Sequence, residues 1–408
     1  MTNASGKIQM NICYISSIDI SLPNGPGVNE REFVNILQNE CRKRGDNLHC
    51  ILPMPSKAVD INVTDASFYK NEAAGKALTH FRLTVNSIKL IRAFIRLLPF
   101  RAQPLFVLRL SPETLMMSLL LRLLKKNYYI KTLEDIYGFA SKGPHRPLTR
   151  FNFLVKRNLL CLGLSKAVSI DACTYQLVNT YQKRFGLRNI IHIDNTVNIE
   201  RFDIQDKAES RKRCGLQSFK KIVGYCGGFP SQRGAAQLIQ IAQRLVKAEP
   251  GCGILIVGDD TELGKLKHEV RKKKLGKWVV FKGLIPYETL ADYINCLDAG
   301  IALDTSEKVE NVGNSSQKIR QYLACGVPVI CPENTHQDLV DQDLCISVPV
   351  HDLDAIFRAV THFFKLSVSD SQAYQARARQ YAVQVLSTQH AYEKRYQIWK
   401  KVFSQDLS

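Results

Sequence analysis

Ser315, Ser316 and Lys318 stand together in Asn314-Ser-Ser-Gln-Lys-Ile-Arg-Gln-Tyr-Leu-Ala-Cys-Gly-Val-Pro-Val-Ile330. Two hydroxyls and an ammonium at the start of a helix can hold an anion, because first-turn N–H groups lack intrahelical acceptors and the helix N-terminus carries partial positive charge. That same charge makes a first-turn lysine unfavourable to the helix alone. A bound anion explains it; a surface helix that merely begins Ser-Ser is the competing explanation. A second group lies in Cys226-Gly-Gly-Phe-Pro-Ser-Gln-Arg-Gly234. Gly227 and Gly228 allow close approach to the backbone, and Arg233 offers a planar, bidentate positive charge. Neither Walker A spacing nor GxGxxG is present. In the first half Gly25 and Gly27 close a turn-rich loop, Arg109 ends an apolar run, and Glu134 and Asp135 end the next. Paired carboxylates in that place suit acid/base work, sugar hydroxyls or the capping of a turn.

These residues need a scaffold that gathers loops at one edge, and the periodicity supplies it. Residues 8–15 read as a buried strand, 28–44 as a helix with Phe33, Ile36, Leu37 and Cys41 on one side, and 49–52 as a second strand. Residues 56–83 read as irregular or short helical structure. A helix follows over 85–100, with Ile88, Ile91, Phe94 or Ile95, and Leu98 on its inner side. Lys89, Arg92 and Arg96 lie on another side, so this basic amphipathic helix either covers a sheet or lies on an anionic membrane. Strands at 104–108 and 128–132 then deliver Arg109 and Asp135 to strand ends, where α/β sheets bind ligands. The alternation continues to about residue 194, and residues 203–221 read as a charged linker. A new strand at 222–225, the glycine loop, and a helix over 235–248 with Leu238, Ile241, Ala242, Leu245 and Val246 at helical spacing open a second α/β unit. The expected architecture is two Rossmann-like domains, residues 1–200 and 201–384.

Composition bounds the partners. Lys+Arg outnumber Asp+Glu by 56 to 37, a formal charge of +19 that suits nucleotides, phospholipid headgroups or nucleic acid. No nucleic-acid-binding signature accompanies the charge, so no nucleic acid is expected. The twelve cysteines form no CxxC pair or Cys/His group, which points to free thiols in a reducing cytoplasm and to no metal site. No signal sequence is expected, and the apolar run at 115–124 is too short to span a bilayer, which takes about twenty residues.

Val223 to Ile239, Ile254-Leu-Ile-Val-Gly258, Val280-Phe-Lys-Gly283, Tyr293 to Leu303 and Lys318 to Ile330 together resemble the C-terminal domain of glycosyltransferase family 4, of the GT-B fold, over most of residues 220–365. Asn24-Gly-Pro-Gly27 and Asp194-Asn-Thr-Val-Asn-Ile-Glu-Arg-Phe202 resemble its glycine loop and interdomain segment more loosely. The resemblance implies two domains facing across a cleft, a final helix near 385–408 that rejoins the first domain, and a retaining hexosyltransferase. Its co-substrate would be a nucleotide diphosphate sugar, with no bound cofactor or metal. Its acceptor would be a glycan or lipid-linked sugar of cell-surface polysaccharide, met in the cytoplasm or at the inner membrane face. Arg233 and Lys318 would stabilise the leaving diphosphate; Gly27, Gly227, Gly228, Ser315, Ser316 and Gln321 would bind the donor, and Arg109 and Asp135 the substrate. Three positions depart from the family pattern. Gly228 stands where a basic residue is common, and Gly313 and Gln321 stand where the family has paired glutamates. Those departures motivate the alternative of a non-catalytic nucleotide-sugar or glycan binder.

Overall fold

A computed structural model describes residues 9–22, 25–56, 66–70, 79–95, 104–133, 147–227, 234–259, 262–303, 313 and 315–405. The chain divides into two compact units, Met1–Asn195 with Ala391–Ser408, and Thr196–His390.

In chain order the first unit contains β1 (Asn11–Ile15), α1 (Gly25–Arg44), β2 (Asn47–Pro53), β3 (Ala66–Tyr69), α2 (Thr79–Ile95), β4 (Leu105–Arg109) and α3 (Pro112–Leu123). It continues through β5 (Tyr128–Leu133), α4 (Pro147–Leu164), β6 (Ser169–Ala172), α5 (Tyr175–Phe185) and β7 (Ile190–His192). The strands form one parallel sheet in the order β3-β2-β1-β4-β5-β6-β7. Local chemistry sets the helix ends. Ser111 caps α3 through a reciprocal bond with Thr114, Pro112 occupies the first turn, and Thr174 caps α5.

Four expectations for this unit need correction. Gly25 and Gly27 belong to the first turn of α1 rather than to the loop before it. A Cβ on Gly27 would sit 2.5 Å from the Leu22 carbonyl oxygen, so its missing side chain serves the chain's own packing. β3 lies in the stretch read as irregular, where four residues are too few to display an alternating pattern. The third concerns α2, which turns Asn86, Ser87, Leu90 and Phe94 inward, with the Phe94 ring edge-on to Phe106 of β4. Ile88, expected inside, is 45% exposed, and of the two alternatives Phe94 and Ile95 it is Phe94 that is buried, Ile95 being 52% exposed. The fourth, Arg109, is described with the site below.

The second unit runs α6 (Lys207–Cys214), β8 (Lys221–Cys226), α7 (Ala235–Ala248), β9 (Cys252–Val257), α8 (Leu263–Lys272), β10 (Val279–Gly283), α9 (Leu290–Asn295) and β11 (Ala299–Ile301). It continues through α10 (Gln317–Ala324), β12 (Val329–Pro332), α11 (Gln337–Val340), β13 (Cys345–Val348), α12 (Leu353–Phe364) and α13 (Val368–Tyr381). Its parallel sheet has the order β10-β9-β8-β11-β12-β13. α7 buries Leu238, Ile241, Ala242 and Leu245, the stripe that its spacing predicts. The expected linker holds α6, capped by Asp206 and closed by Gly215 in the left-handed region. Its eight residues are nearly all polar, so no apolar period announces it. Arg211 fixes it by an ion pair with Asp298 and bonds to the Cys296 carbonyl.

The last helix, α14 (Thr388–Gln405), joins the first unit from Ala391 onward. Tyr392, Tyr396, Trp399 and Phe403 pack against β1, β2 and β4 residues and α1. Arg395 grips Asp171 of β6 with two bonds, Nε to Oδ2 at 2.7 Å and Nη2 to Oδ1 at 3.1 Å. Tyr129 Oη and the Thr132 N–H donate to the same carboxylate at 2.8 and 2.7 Å. Burial alone would raise the Asp171 carboxyl, and Arg395 with these donors more than offsets it, so the group lies below its ordinary 3.8. Among the described residues no helix is long and apolar enough to cross a membrane.

Removing one partner of such a pair leaves a buried charge uncompensated. Asp171→Asn is therefore expected to destabilise the first unit by about 3–5 kcal/mol. Trp399, the sole tryptophan left after Trp278→Phe, reports that unit's urea transition by fluorescence. A group with a lowered folded value gives stability that is complete above its ordinary value and is lost as pH falls through the folded one. The transition midpoint is expected to fall as pH drops below about 4 in the parent, and to fall less in Asp171→Asn.

Candidate functional site

The strand-end edge of the second sheet carries the best-defined group. β8 ends at Cys226 and the chain turns at Gly227, whose φ of +149° lies in a region that L side chains avoid. A Cβ there would also press to 3.3 Å from Lys318 Cδ. Tyr322, one turn along α10, accepts the Cys226 N–H on its hydroxyl at 2.9 Å. Its ring fills the space over Gly300 of β11, where a Cβ would come within 2.5 Å. This one tyrosine therefore fixes the helix start against the end of β8. At the other end of the glycine loop, Gly234 has a φ of +83°, and a Cβ would lie 3.2 Å from the Leu303 backbone nitrogen. Burial pushes the Cys226 thiol up to about 12, so it stays protonated and is no nucleophile.

Ser316 is the N-cap of α10, yet its side chain makes no capping bond. Its Oγ is buried and has no hydrogen-bond partner. An orphaned buried hydroxyl costs about 1–3 kcal/mol, which a ligand accepting its bond would recover. Lys318 is 8% exposed, with Nζ 5.3 Å from the Tyr225 ring centroid. An enclosed ammonium at the positive end of a helix again favours an anion. The opposite end is compensated, since Arg379 donates to the Ala324 carbonyl at 3.0 Å and to the Ile199 carbonyl at 2.8 Å. Arg320 returns to the Ser316 carbonyl at 2.6 Å and stiffens the turn that presents the hydroxyl. Ser315 is half-buried and Gln321 is buried.

The structure thus sets Gly227 against Lys318 and places Ser315, Ser316 and Gln321 of the expected donor set on α10 or directly before it. Gly228, Arg233 and Asp135 lie outside the described residues. Gly313 has a φ of +73°, so a glutamate at this position would carry backbone strain. Tyr322, Arg320, Gly234 and Arg379 are the positioning residues that sequence reasoning missed. A tyrosine between Lys318 and the Gly326 turn reads as plain core, and only the fold brings its hydroxyl to β8.

In the first unit Arg109 takes a different place from the expected substrate contact. It is 5% exposed, lies 3.7 Å from Glu30, and donates to the Thr132 carbonyl. Lys131 Nζ also binds Glu30, at 2.9 Å, and Tyr14 donates to the same carboxylate. Burial pulls the Lys131 ammonium down to about 8 despite Glu30, while Lys131 and Arg109 outweigh burial at Glu30 and keep that carboxyl below its ordinary 4.5. The cluster ties α1 to the ends of β4 and β5, where Thr132 adopts a φ of +55°. Arg109 supports this edge from within.

Residues 220–365 match the family model described as Glycosyl transferases group 1. A curated relative, the lipopolysaccharide core biosynthesis mannosyltransferase LpsB of Rhizobium meliloti, is 25% identical over 188 residues, 42% of this chain and 51% of its own length. The chain thus spans about half the length of that relative. Among solved structures, sucrose-phosphate synthase from Thermosynechococcus elongatus superposes with a TM-score of 0.74 at 17% identity, over 97% of this chain and all of that one. HepE of Anabaena in complex with UDP gives 0.69 at 13% identity, over 96% and 100%. A glycosyltransferase from Rickettsia africae gives 0.69 at 14%, over 97% and 99%. The chain has the two-domain α/β fold of GT-B glycosyltransferases.

An orphaned hydroxyl awaiting an anion makes a two-sided prediction for Ser316→Ala. The melting temperature of the unliganded protein should stay equal or rise, since an unsatisfied buried group is removed. The upward shift produced by a nucleoside diphosphate should fall, by an amount equivalent to about tenfold weaker binding.

Proposed function

We propose that this chain is a retaining hexosyltransferase. It would move a sugar from a nucleotide diphosphate sugar to a glycan or lipid-linked acceptor in cell-surface polysaccharide synthesis. The observation that carries this reading is the anion cradle of Gly227, the unpartnered Ser316 hydroxyl and the enclosed Lys318 at the start of α10. It lies inside the stretch matching the group 1 family model, and relatives of the same fold bind UDP by their own descriptions. The name of the mannosyltransferase relative supports the polysaccharide setting.

The chemistry follows from charge. As the glycosidic C–O bond lengthens, negative charge grows on the departing diphosphate, and donors fixed before the reaction stabilise it without reorganising. Lys318 supplies a point charge, Ser316 a hydroxyl and the first turn of α10 its N–H groups; Arg233, on the glycine loop, adds a second cation in this reading. No protein nucleophile and no bound metal enter the mechanism. The acceptor attacks the face from which the diphosphate leaves, which retains the configuration of the donor. Gly227, Gly228, Ser315 and Gln321 line the donor side, Gln321 through an amide able to bond ribose hydroxyls. Gly27 adds to the donor contacts in this reading, and Asp135 belongs to the acceptor side. The enzyme would work in the cytoplasm at the inner face of the membrane, with the basic helix region 85–100 touching lipid.

A second reading rests on Gly313. Its left-handed φ leaves only backbone where the family places a glutamate, which suits a non-catalytic relative that binds a nucleotide sugar or glycan.

Transfer assays over a panel of nucleotide sugars, with product stereochemistry read by NMR, separate the two. The proposal expects turnover with at least one donor and retention of configuration. Lys318→Ala and Arg233→Ala should each lower kcat by about a hundredfold, the loss typical of one transition-state donor. Donor binding without turnover across the panel would favour the non-catalytic reading, and an inverted product would end the retaining mechanism.

A further inference from the structure

β8 separates two apolar cores, and its alternating side chains enter one or the other. Ile222 and Cys226 enter the core that holds Ile319, Tyr322 and Leu323 of α10. Val223 and Tyr225 enter the opposite one, with Leu238, Ile241 and Leu245 of α7. Lys318 belongs by its helix to the first of these faces, yet its Nζ lies over the Tyr225 ring, 5.3 Å from the centroid. Its stem therefore rounds the end of β8 to reach a side chain of the other face. Gly227 makes that passage: a Cβ there would stand 3.3 Å from Lys318 Cδ, 3.7 Å from its Cγ and 3.6 Å from Tyr225 Oη. Three successive residues thus hold α10: Tyr225 by its ring, Cys226 by the N–H that Tyr322 accepts at 2.9 Å, and Gly227 by the room it leaves. Both Tyr225 and Lys318 are buried, so the contact between ring and ammonium lies largely out of water.

We propose that Tyr225 is a positioning residue for the diphosphate: the negative face of its ring holds the Lys318 ammonium at the end of β8 before any ligand arrives. An aromatic face attracts a cation within about 6 Å of its centroid, and more strongly where water is excluded. A lysine carries a compact charge on a flexible stem, and the freedom of that stem opposes any fixed placement. A ring narrows the freedom without neutralising the charge, so the full positive charge remains for an anion. A carboxylate in the same place would fix the lysine equally well but would repel the incoming diphosphate. The competing account makes Tyr225 a space-filling member of the α7 core, in which case the shape of the ring matters and its electron density does not. The inference rests on the diphosphate reading of the α10 start and adds to it the residue that aims the charge.

Two measurements on the full chain test the assignment. In the ligand-free protein with isotope-labelled lysine, the Lys318 ε-methylene NMR signal, identified by its loss in Lys318→Met, should lie upfield through the ring current of Tyr225. It should return to the ordinary lysine position in Tyr225→Leu. Calorimetry then compares UDP with UMP and GDP with GMP. The preference of the parent for the diphosphate should survive Tyr225→Phe within about threefold and fall stepwise, by about tenfold in all, as one, two and three fluorines are placed on that ring. Fluorine withdraws π density and leaves the ring's shape nearly unchanged, so monophosphate affinity and melting temperature should stay level while the Lys318 signal drifts back along the same series. The fluorinated series decides the matter even where Tyr225→Leu fails to fold. A flat series, a Lys318 signal at the ordinary position in the parent, or a folded Tyr225→Leu protein that keeps the whole preference overturns the positioning role. If the parent prefers neither diphosphate, the diphosphate reading falls instead, and the ligand-free signal alone decides for Tyr225: upfield keeps the contact, and the ordinary position ends it.

Discussion

An ammonium enclosed at the positive end of a helix is the constraint around which the second unit is arranged. Lys318 lies at the start of α10 almost out of solvent, beside a serine hydroxyl with no partner. Unliganded, this arrangement costs stability, because the Ser316 donor is stranded. The surroundings nevertheless hold it rigidly. Tyr322 locks the helix to the end of β8, Gly300 makes room for that ring, and Gly227 and Gly234 take backbone conformations that only glycine adopts comfortably. Arg379 fixes the opposite end and the chain segment Ile199–Phe202 with it. Strain gathered at one point and supported from all sides is what a preorganised anion site requires, because donors already in place need no reorganisation when charge develops.

The first unit shows the opposite arrangement. Among the described residues at its strand ends, two buried carboxylates are satisfied internally: Glu30 by Lys131, Arg109 and Tyr14, and Asp171 by Arg395, Tyr129 and the Thr132 N–H. Buried pairs of this kind contribute little net stability over an apolar replacement, but breaking one is costly. They specify where α1 and α14 sit on the sheet. Thr132, with its positive φ, stands between the two clusters, one through its N–H and one through its carbonyl. These two clusters are thus braced before any ligand arrives.

Much of this was legible in the sequence, and the failures have physical causes. The α7 stripe could be read because one apolar face repeats along the whole helix. α6 could not, since its eight residues are held by two caps and by Arg211 rather than by an apolar face. α2 was visible as a helix, but two stripes compete on it. Spacing does not say that Asn86, Ser87, Leu90 and Phe94 face the sheet while Ile88 and Ile95 face outward. Lys318 and Ser316 were readable as residue types at a helix start. The bond from the Cys226 N–H to Tyr322 joins residues 96 positions apart and appears only with the fold. Arg109 reads as a ligand contact because it ends a strand; that its charge is satisfied by Glu30 and Thr132 is likewise a matter of packing.

The central claim is that α10 begins a diphosphate site. Titration calorimetry comparing a nucleoside diphosphate with its monophosphate, for the parent and for Lys318→Met, addresses it most directly. The account predicts that the diphosphate binds at least about tenfold more tightly to the parent, and that Lys318→Met removes most of that difference, since hydrogen bonds to a charged group are worth about 1.5–3 kcal/mol. Equal affinity for the two nucleotides, or a preference that survives Lys318→Met, would contradict it.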